Sequence, residues 1–382
     1  MTLTDTDTAV LEPGALEALV SALHERGYRV LGPMLRDGAI VYDDLEHADQ
    51  LPVGWTDAQA PGRYRVERRD DEARFGYAVG PHSWKQFLLP ARVRIWRSRR
   101  DGAGFEIEAD ETDRPPLALI GVRGCELSAI AIQDRVLLGG EYMEADYAAR
   151  REGAFIVAVD CFEPADTCFC TSMGGGPQIR GACDLVLSEI LDGEHRFVVR
   201  AGSERGADLL RGLPQRSAVA ADLAASQAAV DGAAARMTRS VQSGDLRDLL
   251  ARNLEHPRWE EVAERCLTCG NCTMVCPTCF CTSVEDVSDL AGNEAERVRL
   301  WESCFSVDHS FLHGGALRRS GRSRYRQWLT HKFGTWHDQF DSSGCVGCGR
   351  CIAWCPVGID VTEELAAIRE TDGARKKDRV AS

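Results

Sequence analysis

Two cysteine runs with the same spacing constrain this chain more than any other feature of its sequence. Each follows the pattern C-x2-C-x2-C-x3-C-P, the first from Cys266 and the second from Cys345. Two-residue gaps let a tight loop direct three sulfurs at one compact inorganic core, while the fourth cysteine, a helical turn further on, points away from it. Proline then turns the chain. This spacing is typical of bacterial proteins that bind two four-iron clusters.

The pattern predicts that each run gives its fourth cysteine to the cluster of the other run. The expected ligand sets are Cys266, Cys269, Cys272 and Cys355 for centre 1, and Cys345, Cys348, Cys351 and Cys276 for centre 2. Gly270 and Gly349 are expected to bring backbone amides close to the sulfurs, where hydrogen bonds help to set the reduction potential. The alternative is a zinc ribbon, which would use paired C-x2-C motifs and four ligands for each metal. Two complete runs, each closed by proline, favour [4Fe-4S] clusters.

Composition and charge indicate a cytoplasmic protein without a membrane span. The chain has 382 residues, of which 44% are apolar and 27% charged, an ordinary globular balance. No apolar run reaches the length of a membrane span, and the polar N-terminus does not resemble a signal peptide. Sixteen cysteines without an export signal therefore predict reduced, metal-bound thiols rather than disulfides. The net charge of −14 argues against general nucleic-acid binding.

The order of predicted elements indicates an α/β (α+β) N-terminal region followed by an α-helical, two-cluster ferredoxin-like domain. Strands predicted at 117–122, 154–159 and 197–199 alternate with helices at 126–138 and 204–212. No G-x-G-x-x-G motif follows these strands, so we expect any nicotinamide and flavin chemistry to belong to another chain. The predicted segments are an α+β region at 1–110 with residues 1–10 disordered, an α/β region at 111–215, a helical linker at 216–244, the cluster domain at 245–370 and a flexible tail at 371–382.

A repeated hexapeptide, TCFCTS, points to a third site. Its copies begin at Thr167 and Thr278. Two other cysteines follow predicted strands, and parallel strands bring their carboxyl ends to one edge of a sheet. The candidate ligands of a third cluster, centre 3, are Cys125, Cys161, Cys168 and Cys170. Glycines 174–176 would allow a close approach of the backbone. The alternative is that these four are buried core thiols.

Three further cysteines, Cys279, Cys281 and Cys304, are weaker candidate ligands. They would need Asp308, His309 or Cys183 as a fourth ligand, or they pack beside the ferredoxin-type centres. Residues 316–332 are rich in arginine and contain no acidic residue. Near a negatively charged cluster, these cations would stabilise its reduced form and help to dock an acidic partner. A nucleic-acid site and a solvated face are the alternatives.

Several motifs together resemble one family. They are Gly121-Val-Arg-Gly-Cys125, Asp160-Cys161, both hexapeptides, Arg324-Tyr-Arg-Gln-Trp-Leu-Thr-His-Lys332 and the run that begins at Gly344. They resemble the beta subunits of soluble, NAD(P)-linked multimeric nickel–iron hydrogenases, or sulfhydrogenases, which are similar to the electron-relay subunit of anaerobic sulfite reductase. The resemblance implies a hetero-oligomer in which this chain relays electrons between a flavin subunit that handles NAD(P)H and the small and large hydrogenase subunits. Gly124 departs from the pattern, which has proline there.

The residues support a relay independently of the resemblance. The chain offers many cluster ligands, has no nucleotide-binding loop and lacks the paired C-x2-C motifs at its two ends that would mark a nickel site. Three alternatives stay open: the same relay in a sulfite reductase, a thiol-disulfide reductase with a substrate-binding cluster at centre 3, and a non-catalytic assembly protein.

Overall fold

An eight-stranded sheet, a four-stranded sheet, two two-stranded sheets and a group of helices form the fold in a computed structural model that describes residues 8–102, 104–109 and 115–380. The strands are β1 (Thr8–Leu11), β2 (Arg29–Arg36), β3 (Ala39–Asp44), β4 (Trp55–Ala60), β5 (Arg63–Arg68), β6 (Arg92–Asp101), β7 (Gly104–Ala109), β8 (Leu117–Val122), β9 (Phe155–Val159), β10 (Leu185–Ile190), β11 (Arg196–Ala201), β12 (Arg216–Ser217), β13 (Thr282–Ser288), β14 (Glu294–Trp301), β15 (Phe311–Leu312) and β16 (Gly315–Ala316). The helices are α1 (Ala15–Glu25), α2 (Lys85–Leu88), α3 (Gly124–Leu137), α4 (Ala145–Glu152), α5 (Glu204–Arg211), α6 (Ala220–Arg236), α7 (Leu246–Arg252), α8 (Arg258–Arg265), α9 (Asn271–Met274), α10 (Gly321–Thr330), α11 (Trp336–Phe340), α12 (Arg350–Ala353) and α13 (Val361–Val380). A π-helical turn, His331–Thr335, joins α10 to α11.

The larger sheet has eight strands in the order β12-β1-β11-β10-β9-β8-β2-β3. Its central strands β10, β9, β8 and β2 are parallel, and the pairs at both edges are antiparallel. Strands β8, β9 and β10 are buried along their whole length, which explains their nearly continuous apolar sequences. The mixed α/β character predicted for this region is confirmed.

Two predicted boundaries in this region are wrong. Residues 8–10, predicted to be disordered, belong to β1, which pairs with β11 from Thr8 opposite Arg200; residues 1–7 lie outside the described residues. The boundary after residue 110 does not separate two sheets, because β2 pairs with β8 across it. Strand pairing joins segments that are distant in sequence, so composition alone revealed neither the start of β1 nor the pairing of β2 with β8.

The smaller sheet, in the order β13-β14-β6-β7, joins the N-terminal region to the cluster domain. Strand β14 pairs with β6, with Arg297 opposite Trp96, and ion pairs such as Arg97–Glu294 and Arg94–Glu296 link the two strands. The cluster domain is therefore not wholly helical as predicted, since it contributes β13 to β16. Strand β13 is polar and largely exposed, so it lacks the alternation of a half-buried strand.

The helices near the C-terminus enclose an apolar core. Its largest side chains include Trp259, Tyr325 and Trp328. Residues 371–380, predicted as a flexible tail, continue α13, and Arg252 of α7 forms an ion pair with Asp372 (2.8 Å); residues 381–382 lie outside the described residues. The predicted linker is the helix α6, whose alanines pack on the larger sheet. Within the described ranges, no helix is long and apolar enough to cross a membrane.

Candidate iron–sulfur centres

The four cysteines predicted for centre 1 line a single cavity. Three come from the first run and one, Cys355, comes from the second run. Aromatic side chains close the cavity: Phe305, Tyr325 and Trp328 all line it. The cysteines lining the cavity are Cys266, Cys269, Cys272, Cys355 and also Cys351. The structure thus brings the predicted set together across the two runs, with Cys269 as its exposed member.

The two runs share one loop conformation. In each run, the amide two residues after the first cysteine donates to that cysteine's sulfur: Thr268 N to Cys266 Sγ and Gly347 N to Cys345 Sγ, both at 3.4 Å. Gly270 and Gly349, predicted to supply such amides, instead adopt positive φ angles (74° and 75°) immediately before α9 and α12. Their role in the structure is therefore to shape the loop.

A buried cation lies within centre 2. Lys332 is 4% exposed, and its Nζ donates to Cys276 Sγ (3.4 Å), Thr278 Oγ1 (3.0 Å) and Gly344 O (3.0 Å). A hydrogen bond from Cys279 and the charge of Lys332 hold the pKa of Cys276 well below its usual value. Burial, in contrast, raises the pKa of Cys345 to about 12.

The other members of centre 2 lie within electrostatic range of Cys276. Its charge acts on the thiols of Cys345, Cys348 and Cys351, so the four predicted ligands are neighbours. Among the residues that the structure describes, no three His, Cys, Asp or Glu side chains are grouped around one point where a single metal ion would bind. The thiolates of a [4Fe-4S] cluster differ in this respect, because each binds a different iron atom.

A buried ion pair that the sequence did not reveal fixes centre 2 to the larger sheet. Arg350, between two of the cysteines, contacts Glu126 of α3, and both side chains are almost completely buried. The guanidinium also donates to Gly80 O (2.9 Å) and His82 O (2.8 Å). A buried arginine needs a counter-charge. In the sequence, the only sign of this contact was the acidic residue Glu126 next to Cys125.

The candidate cysteines of centre 3 lie at the predicted edge of the sheet. Cys125 is in the first turn of α3 after β8, and Cys161 follows β9. Cys170 lies within electrostatic range of both Cys125 and Cys161, and Cys168 within range of Cys170. Met237 Sδ also approaches Cys170 Sγ (3.9 Å).

The glycine at position 124 has a steric explanation. A Cβ at Gly124 would lie 2.5 Å from Gly176 O, so the proline of the family pattern has no room here. The carbonyl oxygen of Gly176 thus lies close to the start of α3, whereas a Cβ added at Gly174 or Gly176 would meet no atom within 4 Å, so the role predicted for glycines 174–176 stays a prediction.

The remaining cysteines divide into two places. Cys279, Cys281 and Cys304 lie near Lys332, whose charge acts on all three. Cys183 instead packs in the core of the larger sheet, so the structure does not bring it to this group. Burial lowers the pKa of His309, and the charges of Glu302 and Arg318 act on it.

Comparison with known proteins agrees with this geometry. Residues 265–359, which contain both runs, match the family described as a 4Fe-4S dicluster domain. Over 352 residues the chain is 29% identical to sulfhydrogenase 2 subunit beta of Pyrococcus furiosus, and the alignment covers 90% of this chain and 92% of that protein. The chain resembles a sulfhydrogenase beta subunit. No solved structure gives a significant match.

The similarity to a sulfhydrogenase beta subunit extends beyond the cysteine runs, because the alignment covers nearly the whole chain. The resemblance seen in the motifs is therefore confirmed. The dicluster domain supports [4Fe-4S] clusters and a role in electron transfer. Centre 3 lies outside residues 265–359, so the assignment of its cysteines as cluster ligands depends only on their position at the sheet edge.

Proposed function

We propose that this chain is the electron-transfer subunit of a hetero-oligomeric hydrogenase, carrying electrons between a flavin subunit that handles NAD(P)H and a nickel–iron module. The observation that carries the proposal is the position of Cys355, which lines the cavity formed by the cysteines of the first run. Such exchange of the fourth cysteine is typical of proteins that hold two clusters close together. The near full-length similarity to a sulfhydrogenase beta subunit supports the partner class.

The chain's own residues suit the binding of such clusters. We assign centres 1 and 2 to the two crossed cysteine sets and centre 3 to the four cysteines at the sheet edge. When bound, each cluster would exchange one electron at a time. The protein contributes aromatic side chains that line centre 1, amide donors from Thr268 and Gly347, and the ammonium of Lys332. Hydrogen bonds and burial of this kind tune cluster potentials.

Identifying the proteins that co-purify with this chain tests the proposal. We expect anaerobic purification of the native complex, followed by mass spectrometry, to identify a flavoprotein and the two subunits of a nickel–iron hydrogenase. The chain purified alone should not reduce a dye with hydrogen or oxidise NAD(P)H, and both activities should appear when the partners are added. Co-purification with a sirohaem protein would contradict the hydrogenase assignment and favour the sulfite reductase relay.

A further inference from the structure

Lysine is rare in this chain, and its positions are unusual. Of the 45 Lys and Arg residues, four are lysines: Lys85, Lys332, Lys376 and Lys377. The first two, which are the only lysines before the C-terminal stretch, are both buried, at 5% and 4% exposure. Lysine is among the residues least often buried, because removing an ammonium from water is costly unless a partner compensates it. The two lysines that precede the C-terminal stretch thus lie in the interior, whereas every other basic residue before that stretch, histidine aside, is an arginine.

Both ammonium groups contact the same short segment, which begins at Cys276. Lys332 Nζ donates to the sulfur of Cys276 (3.4 Å) and to Thr278 Oγ1 (3.0 Å). Lys85 Nζ donates to the carbonyl oxygen of Cys279 (3.2 Å) and lies 3.8 Å from the centre of the Trp301 ring. Within the described part of the chain, neither lysine forms an ion pair with a carboxylate. The negative groups available to compensate them are therefore the thiolates of this segment.

The geometry explains why lysine rather than arginine is used. An ammonium is a compact charge with three donors, and those of Lys332 reach a sulfur, a hydroxyl and a carbonyl in a small space. A planar guanidinium would present a wider, fixed fork. Centre 1 differs, since cysteines, glycine, proline and apolar or aromatic side chains line its cavity and none of the described residues in that lining is basic. The charge of Arg265 acts on Cys266 from outside the lining.

We propose that Lys332, assisted by Lys85, is the counter-charge of centre 2 and raises its reduction potential above that of centre 1. This inference rests on the proposed function, because it requires clusters at both centres. When an electron passes from one centre to the other, the donor loses one unit of negative charge and centre 2 gains one. A fixed positive charge in contact with a ligand sulfur stabilises the more negative, reduced form. The transferred electron then resides on centre 2 in preference to centre 1.

The test is a redox titration, followed by EPR, of the full-length protein purified anaerobically. Lys332→Met should lower the reduced-to-oxidised ratio of one centre at least tenfold at a fixed potential, a shift of about 59 mV for one electron. Lys332→Gln, which keeps a donor but removes the charge, should give a shift in the same direction. Lys85→Met should shift the same centre less, because Lys85 contacts a carbonyl oxygen rather than a sulfur.

Iron content and a surface variant provide the controls. Arg322→Met removes a cation from α10 that is paired with Glu255 at the surface, and it should leave both potentials unchanged. Unchanged potentials in Lys332→Met and Lys332→Gln, with iron retained, would overturn the inference. If both neutral variants of Lys332 lose centre 2, Lys85→Met decides between the outcomes: a lowered potential of the retained centre would support the inference, and an unchanged potential would contradict it. A wild-type protein without cluster signals would instead overturn the proposed function.

Discussion

Breaking the buried ion pair between Arg350 and Glu126 should destabilise the protein strongly. The two side chains are 0% and 1% exposed. Glu126 also accepts a hydrogen bond from the backbone of Trp84 (3.1 Å), and Arg350 donates to two carbonyl oxygens. Removing one partner leaves an uncompensated charge in the interior, which costs about 3–5 kcal/mol. The pair links the second cysteine run to α3, so its loss should also loosen centre 2.

The perturbation is Glu126→Leu, compared with wild type by thermal unfolding under anaerobic conditions at one scan rate. At roughly 2–4 °C for each kcal/mol, the melting temperature should fall by roughly 6–20 °C. The double variant Glu126→Leu with Arg350→Met should recover most of this loss, because replacing a whole buried pair by apolar side chains is often close to neutral. Iron per chain, measured in the same samples, reports whether centre 2 is retained.

An exposed ion pair supplies the matched control. Arg26 and Asp208 form an ion pair with side chains that are 39% and 62% exposed, so Asp208→Ala should cost only about 0–1 kcal/mol. A melting temperature for Glu126→Leu that falls no further than that of Asp208→Ala would refute the reasoning from burial. So would a double variant as unstable as Glu126→Leu alone.

Three further predictions follow from particular side chains. Cys276→Ser should remove the cluster of the second run and keep that of the first, as seen by EPR; loss of the first alone would contradict the crossed sets. Cys168→Ala should lower iron by about four atoms per chain, the content of one cubane; unchanged iron would identify the cysteines of centre 3 as core thiols. Burial raises the pKa of Asp57 from 3.8 to about 6, so the folded state binds a proton more tightly and stability falls as pH rises between these values. Asp57→Asn should remove this fall in denaturation measured from pH 4 to 7, and an equal fall in both proteins would contradict the assignment.

The parts of the molecule that could be predicted from the sequence are those fixed by local spacing. The gaps within each run determine which way a sulfur points, so the spacing alone assigns Cys355 to the cluster of the other run. The ends of apolar strands could also be located, which placed Cys125 and Cys161 at one edge of the sheet.

The parts that could not be predicted depend on contacts between distant segments. Strands β6 and β14 pair although they are far apart in the chain: Arg97 and Glu294 are separated by 197 positions in the sequence. The Arg–Glu pairs that link the two strands have no periodic signature in the sequence. Lys332 lies at the end of an arginine-rich segment whose cations were expected near a cluster, but the sequence did not indicate which of them would contact a ligand. Only the fold shows that its ammonium is turned inward to a cysteine sulfur.

Both hexapeptides contact the second cysteine run. The first contacts the second cysteine run through Phe169 N, which donates to Gly347 O (2.8 Å). The second contacts the same run through Thr278 Oγ1, which donates to Gly344 O (2.6 Å). Centre 2 therefore lies between the candidate cysteines of centre 3 and the segment that carries Cys279. Cys348 of centre 2 lies within electrostatic range of Cys125 and Cys170, and Cys351 of centre 2 lines the cavity of centre 1. On the proposed ligand sets, a relay through all three centres would therefore pass through centre 2, beside Lys332.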